Sequence, residues 1–279
     1  EHGLASEELI FVDGSLDVVI KNYTHEAGVR NLSREIASLC RKVVKELEFN
    51  KELKSVKITP ENLNGYLGIA HYEREGIAEN DIGVATGLAW TEVGGETLTI
   101  EVNKMRGKGS LVLTGKLGDV MKESAQAALT YVKSSSQKLG VDEDMFSTTD
   151  FHVHVPEGAV PKDGPSAGIA LATALASVCM NKPVKKKIAM TGEVTLRGRV
   201  LGIGGLKEKV IAAHREGMIT VLFPESNKKD LIDIPEDIRK KLEMVPVMHM
   251  DYVISMSIEN IAQSGRKFGR NKKDRESKK

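Results

Sequence analysis

The chain has 279 residues, enough for one large domain or two smaller ones, each with its own core. Hydrophobic residues make up 41% and charged residues 28%, an ordinary globular balance, and a formal net charge of +1 gives no signature of a nucleic-acid or membrane binder. No apolar run reaches about 18 residues free of charges or turns, so no membrane span is expected.

Cys40 and Cys179 are far apart in sequence and match neither a disulfide framework nor a metal-ligand pair, which points to a reducing compartment. Position 1 is Glu and no signal-peptide pattern follows, so the chain reads as a piece excised from a longer protein.

Residues 1–68 read as a helical unit. In "GVRNLSREIASLCRKVVKELEF", Leu32, Ile36, Leu39, Val43 and Leu47 recur at helical spacing, with Asn31 in the N-cap position. In "ITPENLNGYLG", Thr59 is the expected cap, Pro60 the first helical residue, and Gly65 or Gly68 the stop. The polar stretch His71–Gly83 changes the texture, so residues 69–83 are taken as a linker and 84–264 as a second unit.

That second unit alternates with period two at first. "VATGLAW" and "ETLTIEV" flank Gly94-Gly95 as a hairpin, and "SLVLTG" is a third strand. Leu117–Leu139 reads as a long helix with Val120, Met121, Ser124, Ala125, Ala128, Leu129 and Val132 on its apolar side. "DFHVHV" is a strand, and Ser166–Met180 is a helix apolar nearly all round, hence buried. "KIAMTGEV" and "GRVLGIGG" make a hairpin around Arg197-Gly198, followed by a helix ending at Gly217 and the strand "ITVLFP". Two short helices, the strand "EMVPVMHM" and a helix Tyr252–Gln263 complete an α+β pattern. Residues 265–279 hold eight Lys or Arg and read as a basic, disordered tail.

The chemistry centres on "PKDGPSAGIALATALASV". Ser166 stands where a loop becomes a helix, which suits an N-cap and equally a serine attacking a carbonyl beside an oxyanion site. Gly164–Gly168 matches G-x-S-x-G formally, but the preceding strand ends about ten residues too early for a nucleophile elbow. His214 and His249 are possible partners in such a triad without further support. His152 and His154 share one strand face, and no third metal ligand has suitable spacing. Neither a Walker A loop nor a strand-then-G-x-G-x-x-G unit occurs, so this chain is not expected to bind nucleotide alone.

Lysine is the remaining base. Lys207 and Lys209 lie in the first turns of the helix after Gly204-Gly205. An unperturbed lysine is neutral in roughly one molecule in a thousand at pH 7.5, and desolvation or a helix N-terminus raises that fraction. On a helical wheel Lys209 sits on the shoulder of the stripe Leu206–Val210–Ala213, a position that ordinarily leaves a lysine solvated.

"PKDGPSAG" and "MTGEVTLRGRVLGIGGLKEKVIAAHREG" resemble the proteolytic domain of the Lon family of ATP-dependent proteases, bacterial type, and "TGLAWTEVGG" fits the same family. The resemblance runs from the helical N-terminal part through about Gln263. It implies that Ser166 is the nucleophile and that Lys209, the second lysine of G-G-L-K-E-K, is its partner. Thr191 matches a threonine that orients the lysine. Glu101, Asp163 and Glu193 match carboxylates around the family's site, Asp163 helping to switch the loop between open and closed forms.

The N-terminal part resembles the small helical subdomain of an AAA+ ATPase, where Arg30 matches a nucleotide-sensing arginine. Walker motifs are absent here, so ATP and Mg belong to the full-length protein, and peptide hydrolysis needs no cofactor or metal. Unfolded polypeptides are the implied substrates, a homo-oligomeric six-fold ring the implied assembly, and the cytoplasm the implied location. Neither membrane nor nucleic acid is an expected partner. Two other readings are a non-catalytic binding module on the same fold and a Ser–His hydrolase.

Overall fold

The computed structural model describes residues 3–24, 26, 28–72, 80–91, 94–156 and 162–259. The basic tail and residues 73–79 of the polar linker lie outside these residues. The last helix, expected to run from Tyr252 to Gln263, instead spans Met250–Ser257 because Ile258 turns extended to bridge Val184.

The N-terminal unit runs β1 (Leu9–Phe11), α1 (Ser15–Tyr23), α2 (Arg30–Phe49), β2 (Val56–Ile58) and α3 (Leu63–Leu67). Leu39 and Val43 of α2 pack with Val19 and Tyr23 of α1, Ile58 and Leu63 in a core of their own. The all-helical reading misses β1 and β2, which pair in parallel, Leu9 opposite Val56. Three residues are too few for period two to register.

Both helix starts also need correction. The Glu26 carboxylate, not Asn31, caps α2 by accepting from the Asn31 and Leu32 N–H groups at 2.8 and 2.9 Å. Those bonds hold Glu26 below the usual carboxylate range. Thr59 and Pro60 open a turn in which Asn62 Oδ1 accepts from the Thr59 N–H at 2.9 Å, so α3 starts only at Leu63 and stops before Gly68.

The second unit contains β3 (Val84–Thr91), β4 (Gly94–Arg106), β5 (Leu111–Thr114), α4 (Asp119–Ser134), α5 (Ser136–Leu139), α6 (Met145–Thr148), β6 (Thr149–His154) and α7 (Gly168–Met180). It continues through β7 (Ile188–Met190), β8 (Glu193–Val194), β9 (Val200–Leu201), α8 (Leu206–Arg215), β10 (Thr220–Pro224), α9 (Glu236–Lys241), β11 (Glu243–Val247) and α10 (Met250–Ser257). A 3₁₀ turn, Pro165–Ala167, leads into α7, and a longer one, Glu225–Asp233, precedes α9.

Among the described residues, seven strands form one mixed sheet in the order β11-β10-β7-β3-β4-β6-β5. Strands β11, β10, β7 and β3 are mutually parallel, β4 is antiparallel to β3 and β6, and β5 is parallel to β6. The expected hairpin around Arg197-Gly198 is smaller than predicted. β7 joins the main sheet, and only β8 and β9 form the hairpin.

Period two sorts the core onto the two faces of the sheet. Ala85, Ile188, Met190 and Leu222 face α4, α7 and α10. Leu88, Ala189, Val221 and Phe223 face α8 with its stripe Leu206, Val210 and Ala213. α7 is buried at every residue from Gly168 to Cys179, as its composition predicts.

The long helix after Leu117 breaks at Ser135 into α4 and α5. Val120 is 43% exposed, contrary to the wheel, and Tyr131 enters the core at 2%.

Candidate active site

The sheet brings the two layers together where β7 ends. Thr191 follows Met190, the last residue of β7, and its N–H donates to the Leu222 carbonyl on β10 at 3.0 Å. From the α7 side comes Ser166, in the 3₁₀ turn. Its carbonyl accepts from the Gly192 N–H at 2.8 Å and from the Thr191 hydroxyl at 3.3 Å. The Gly192 carbonyl in turn accepts from the Ile169 N–H at 3.0 Å, which fixes the first turn of α7. The N-cap of α7 is Ala167, and no side chain caps that helix. The Ser166 hydroxyl is therefore not used as a cap.

From the other side comes Lys209. It is 3% exposed, so the solvated reading taken from its wheel position is wrong. The reason lies more than a hundred residues away in sequence. Gly95, at the start of β4, lies against α8 so closely that a Cβ there would overlap the Glu208 carbonyl and stand 2.9 Å from Lys209 N. The Arg215 guanidinium donates to the Gly95 carbonyl at 3.1 Å and ties the far end of α8 to the same strand. Lys209 Nζ donates to Thr191 Oγ1 at 3.2 Å, and burial lowers its pKa to about 8.

Ser166 and Lys209 both line a cavity of about 730 Å³, with Leu88, Trp90, Met121 and the Gly202–Gly205 loop. Asp163 lines it too. Its Oδ1 accepts from the Met121 N–H at 3.0 Å and the Gly164 N–H at 2.9 Å, so it caps the first turn of α4 and braces the loop before Ser166.

Glu101 and Glu193 do not line the cavity. Glu101 is exposed in mid-β4 between Val84 and His154, and Glu193 is partly buried, opposite Leu201 in the small hairpin. Arg30 is exposed at the start of α2.

His152, His154 and His249 are otherwise engaged. The Thr114 hydroxyl lies 2.9 Å from His152 Nε2 and 2.7 Å from His154 Nδ1, and the described residues hold no group of three or more His, Cys, Asp or Glu able to bind a metal. His249 caps α10 by accepting from the Asp251 N–H at 3.2 Å, and neither it nor His214 lines the cavity.

Sequence reasoning missed Trp90, Met121 and the contact made by Gly95. The Gly94-Gly95 pair is read from sequence as a turn, whereas both residues are the first of β4.

Residues 57–260 match the family model for the Lon protease (S16) C-terminal proteolytic domain, and residues 1–56 match the Lon protease AAA+ ATPase lid domain. The chain belongs to the Lon protease family. The Lon protease of Endomicrobium trichonymphae is 83% identical over 264 residues, which is 95% of this chain and 33% of that protein. The Lon proteases of Syntrophomonas wolfei and Vibrio parahaemolyticus are 55% and 53% identical, over 92% of this chain and 32% and 33% of their own lengths. The chain thus spans about a third of the curated relatives it matches, a Lon-type peptidase domain preceded by a lid. No helix among the described residues is long and apolar enough to cross a membrane.

Proposed function

We propose that the chain is a serine endopeptidase module in which Ser166 attacks the peptide bond and Lys209 moves the proton. The observation that carries this reading is a buried lysine with no ion pair among the described residues, in the same cavity as a serine whose hydroxyl caps nothing. With a pKa of about 8, Lys209 is neutral in roughly one molecule in four at pH 7.5, against roughly one in a thousand for an ordinary lysine.

The neutral amine gives one N–H to Thr191 and keeps its lone pair for the Ser166 proton. Ser166 Oγ bonds to the carbonyl carbon, and a backbone N–H at the Ser166 turn holds the resulting oxyanion. Protonated Lys209 then delivers the proton to the amide nitrogen as the C–N bond breaks, leaving an acyl-enzyme. A water attacks that ester, neutral Lys209 takes its proton and returns it to Ser166, and the acid leaves. Asp163 positions the loop, and release of its two backbone bonds is the route between closed and open forms.

The substrates are unfolded or damaged polypeptides, because the sequence holds no phosphate loop with which to drive unfolding, and Arg30, the nucleotide-sensing arginine of the lid, cannot drive it alone. In the full-length protein an ATPase module with ATP and Mg supplies that work, on a hexameric ring in the cytoplasm. Glu101 and Glu193 receive no catalytic role.

Peptide hydrolysis by the wild type, Ser166→Ala and Lys209→Ala, side by side, tests the reading. Both variants are expected to lose at least about a thousandfold in turnover. Activity that survives Ser166→Ala would favour a non-catalytic module with a contaminant, and dependence on His214 in place of Lys209 would favour a Ser–His hydrolase.

A further inference from the structure

The β8–β9 hairpin is the covalent link between the two halves of the cavity. Thr191 and Gly192 precede it, and the Gly202–Gly205 loop after it leads into α8 and Lys209. Two paired positions, Glu193 with Leu201 and Val194 with Val200, are too few to hold it alone. Its tip is anchored instead. The Val200 N–H donates to the Met248 carbonyl at 2.9 Å, and the Met250 N–H to the Gly198 carbonyl at 2.8 Å.

His249 adds a side-chain bond. Its Nε2 lies 2.9 Å from the Arg197 carbonyl, which can only accept, so Nε2 carries a proton. Its Nδ1 accepts from the Asp251 N–H, which requires the same neutral tautomer.

Asp251 and Tyr131 orient that ring. Tyr131, buried on α4, donates its hydroxyl to Asp251 Oδ1 at 2.9 Å and meets His249 edge-on at 6.4 Å. Asp251 Oδ2 lies 3.4 Å from Lys138 Nζ and 3.4 Å from His249 Nδ1. Arg197 and Arg199 flank the ring from the hairpin, the latter bridged to residue 249 through the backbone. Gly198, at φ +81°, leaves no room between them: a Cβ would overlap the Tyr131 ring and stand 2.8 Å from His249 Cε1.

We propose that His249, oriented by Tyr131 and Asp251, is a positioning residue that holds the β8–β9 hairpin so that Thr191 and α8 keep their register on Ser166. The inference rests on the Ser166–Lys209 reading. His249 touches no reacting atom and acts through the backbone it holds. α4 then braces both halves of the cavity, with Asp163 at its first turn and Tyr131 further along.

The test compares peptide hydrolysis by this chain as wild type, His249→Ala, His249→Gln and Tyr131→Phe, each with its pH profile. His249→Ala and Tyr131→Phe are expected to lower kcat about three- to tenfold, short of the about 100-fold that a 1 Å misplacement can cost. KM should stay within about twofold. The apparent pKa of acylation should rise towards that of an ordinary lysine, because water entering beside a loosened α8 rehydrates Lys209. His249→Gln, which keeps a donor for the Arg197 carbonyl, should recover most of both changes.

A local helix cap would alter stability and leave the pH profile where it was. Unchanged kcat and profile in His249→Ala and Tyr131→Phe would overturn the proposal. Should His249→Ala fail to fold, Tyr131→Phe carries the same readouts with only a hydroxyl removed. A wild type without Ser166-dependent hydrolysis would defeat the Ser–Lys reading itself. The positioning claim would then be read from the NMR titration of labelled Lys209, where equal midpoints in wild type and Tyr131→Phe would overturn it.

Discussion

Helix α7 is buried on every side, whereas α8 buries one apolar stripe and, beside it, a lysine. Ser166 is carried by the first and Lys209 by the second, so the two halves of the site are held by different forces. Apolar area fixes α7, and it carries no charge that opposes burial, its buried Thr173 and Ser177 hydroxyls being hydrogen-bonded. α8 is fixed by the approach of β4 at Gly95, and burial there forces a cation out of water. The nucleophile's position is thereby insensitive to pH, and the base's environment is a source of both reactivity and instability.

Gly95→Ala should break the comparison most severely. Its Cβ has no space against α8, so α8 must shift, costing about 3 kcal/mol or more in urea unfolding and at least about 100-fold in peptide turnover. Wild-type stability in Gly95→Ala would show that the strand does not hold the helix. On the α7 side, Leu175→Ala removes a fully buried side chain and should cost about 2–5 kcal/mol. Turnover per folded molecule should then keep the wild-type pH profile, since Lys209 is untouched. A displaced profile would mean that the two layers are coupled.

Lys209→Met gives a smaller effect of opposite sign. The folded pKa of about 8 lies below the ordinary 10.5, so the unfolded chain binds the proton more tightly. The resulting penalty is fully present below pH 8, at most about 3 kcal/mol at 1.36 per unit, and fades as pH rises from 8 to 10.5. At about pH 6 Lys209→Met should therefore match or exceed wild-type stability, with an advantage that disappears by about pH 11. A loss of stability at pH 6 would contradict the burial cost. His214→Ala should do least, leaving turnover within about tenfold, against the roughly 10²–10⁴ contributed by a positioned base.

How much of this was legible in the sequence follows the same division. α7 announces itself, because Gly168–Met180 is apolar nearly all round and begins at turn formers. The sheet strands β3 and β4 were legible from alternation, and β1 and β2 were too short to alternate. For Lys209 the helical wheel indicates a solvated shoulder, since the wheel ranks only neighbours within the helix. Its burial depends on Gly95, which becomes a neighbour only through the fold. The family resemblance pointed to Lys209 where local physics did not. It also pointed to Glu101 and Glu193, which the fold leaves outside the cavity.

The central claim is that Lys209 is a base because it is buried. Its side-chain amine can be followed directly by ¹⁵N NMR on the labelled protein across the alkaline range, alongside single-turnover acylation. A titration midpoint near 8, matching the pH dependence of acylation, is the expected result. A midpoint near the ordinary 10.5, in protein that cleaves peptide through Ser166, would contradict it.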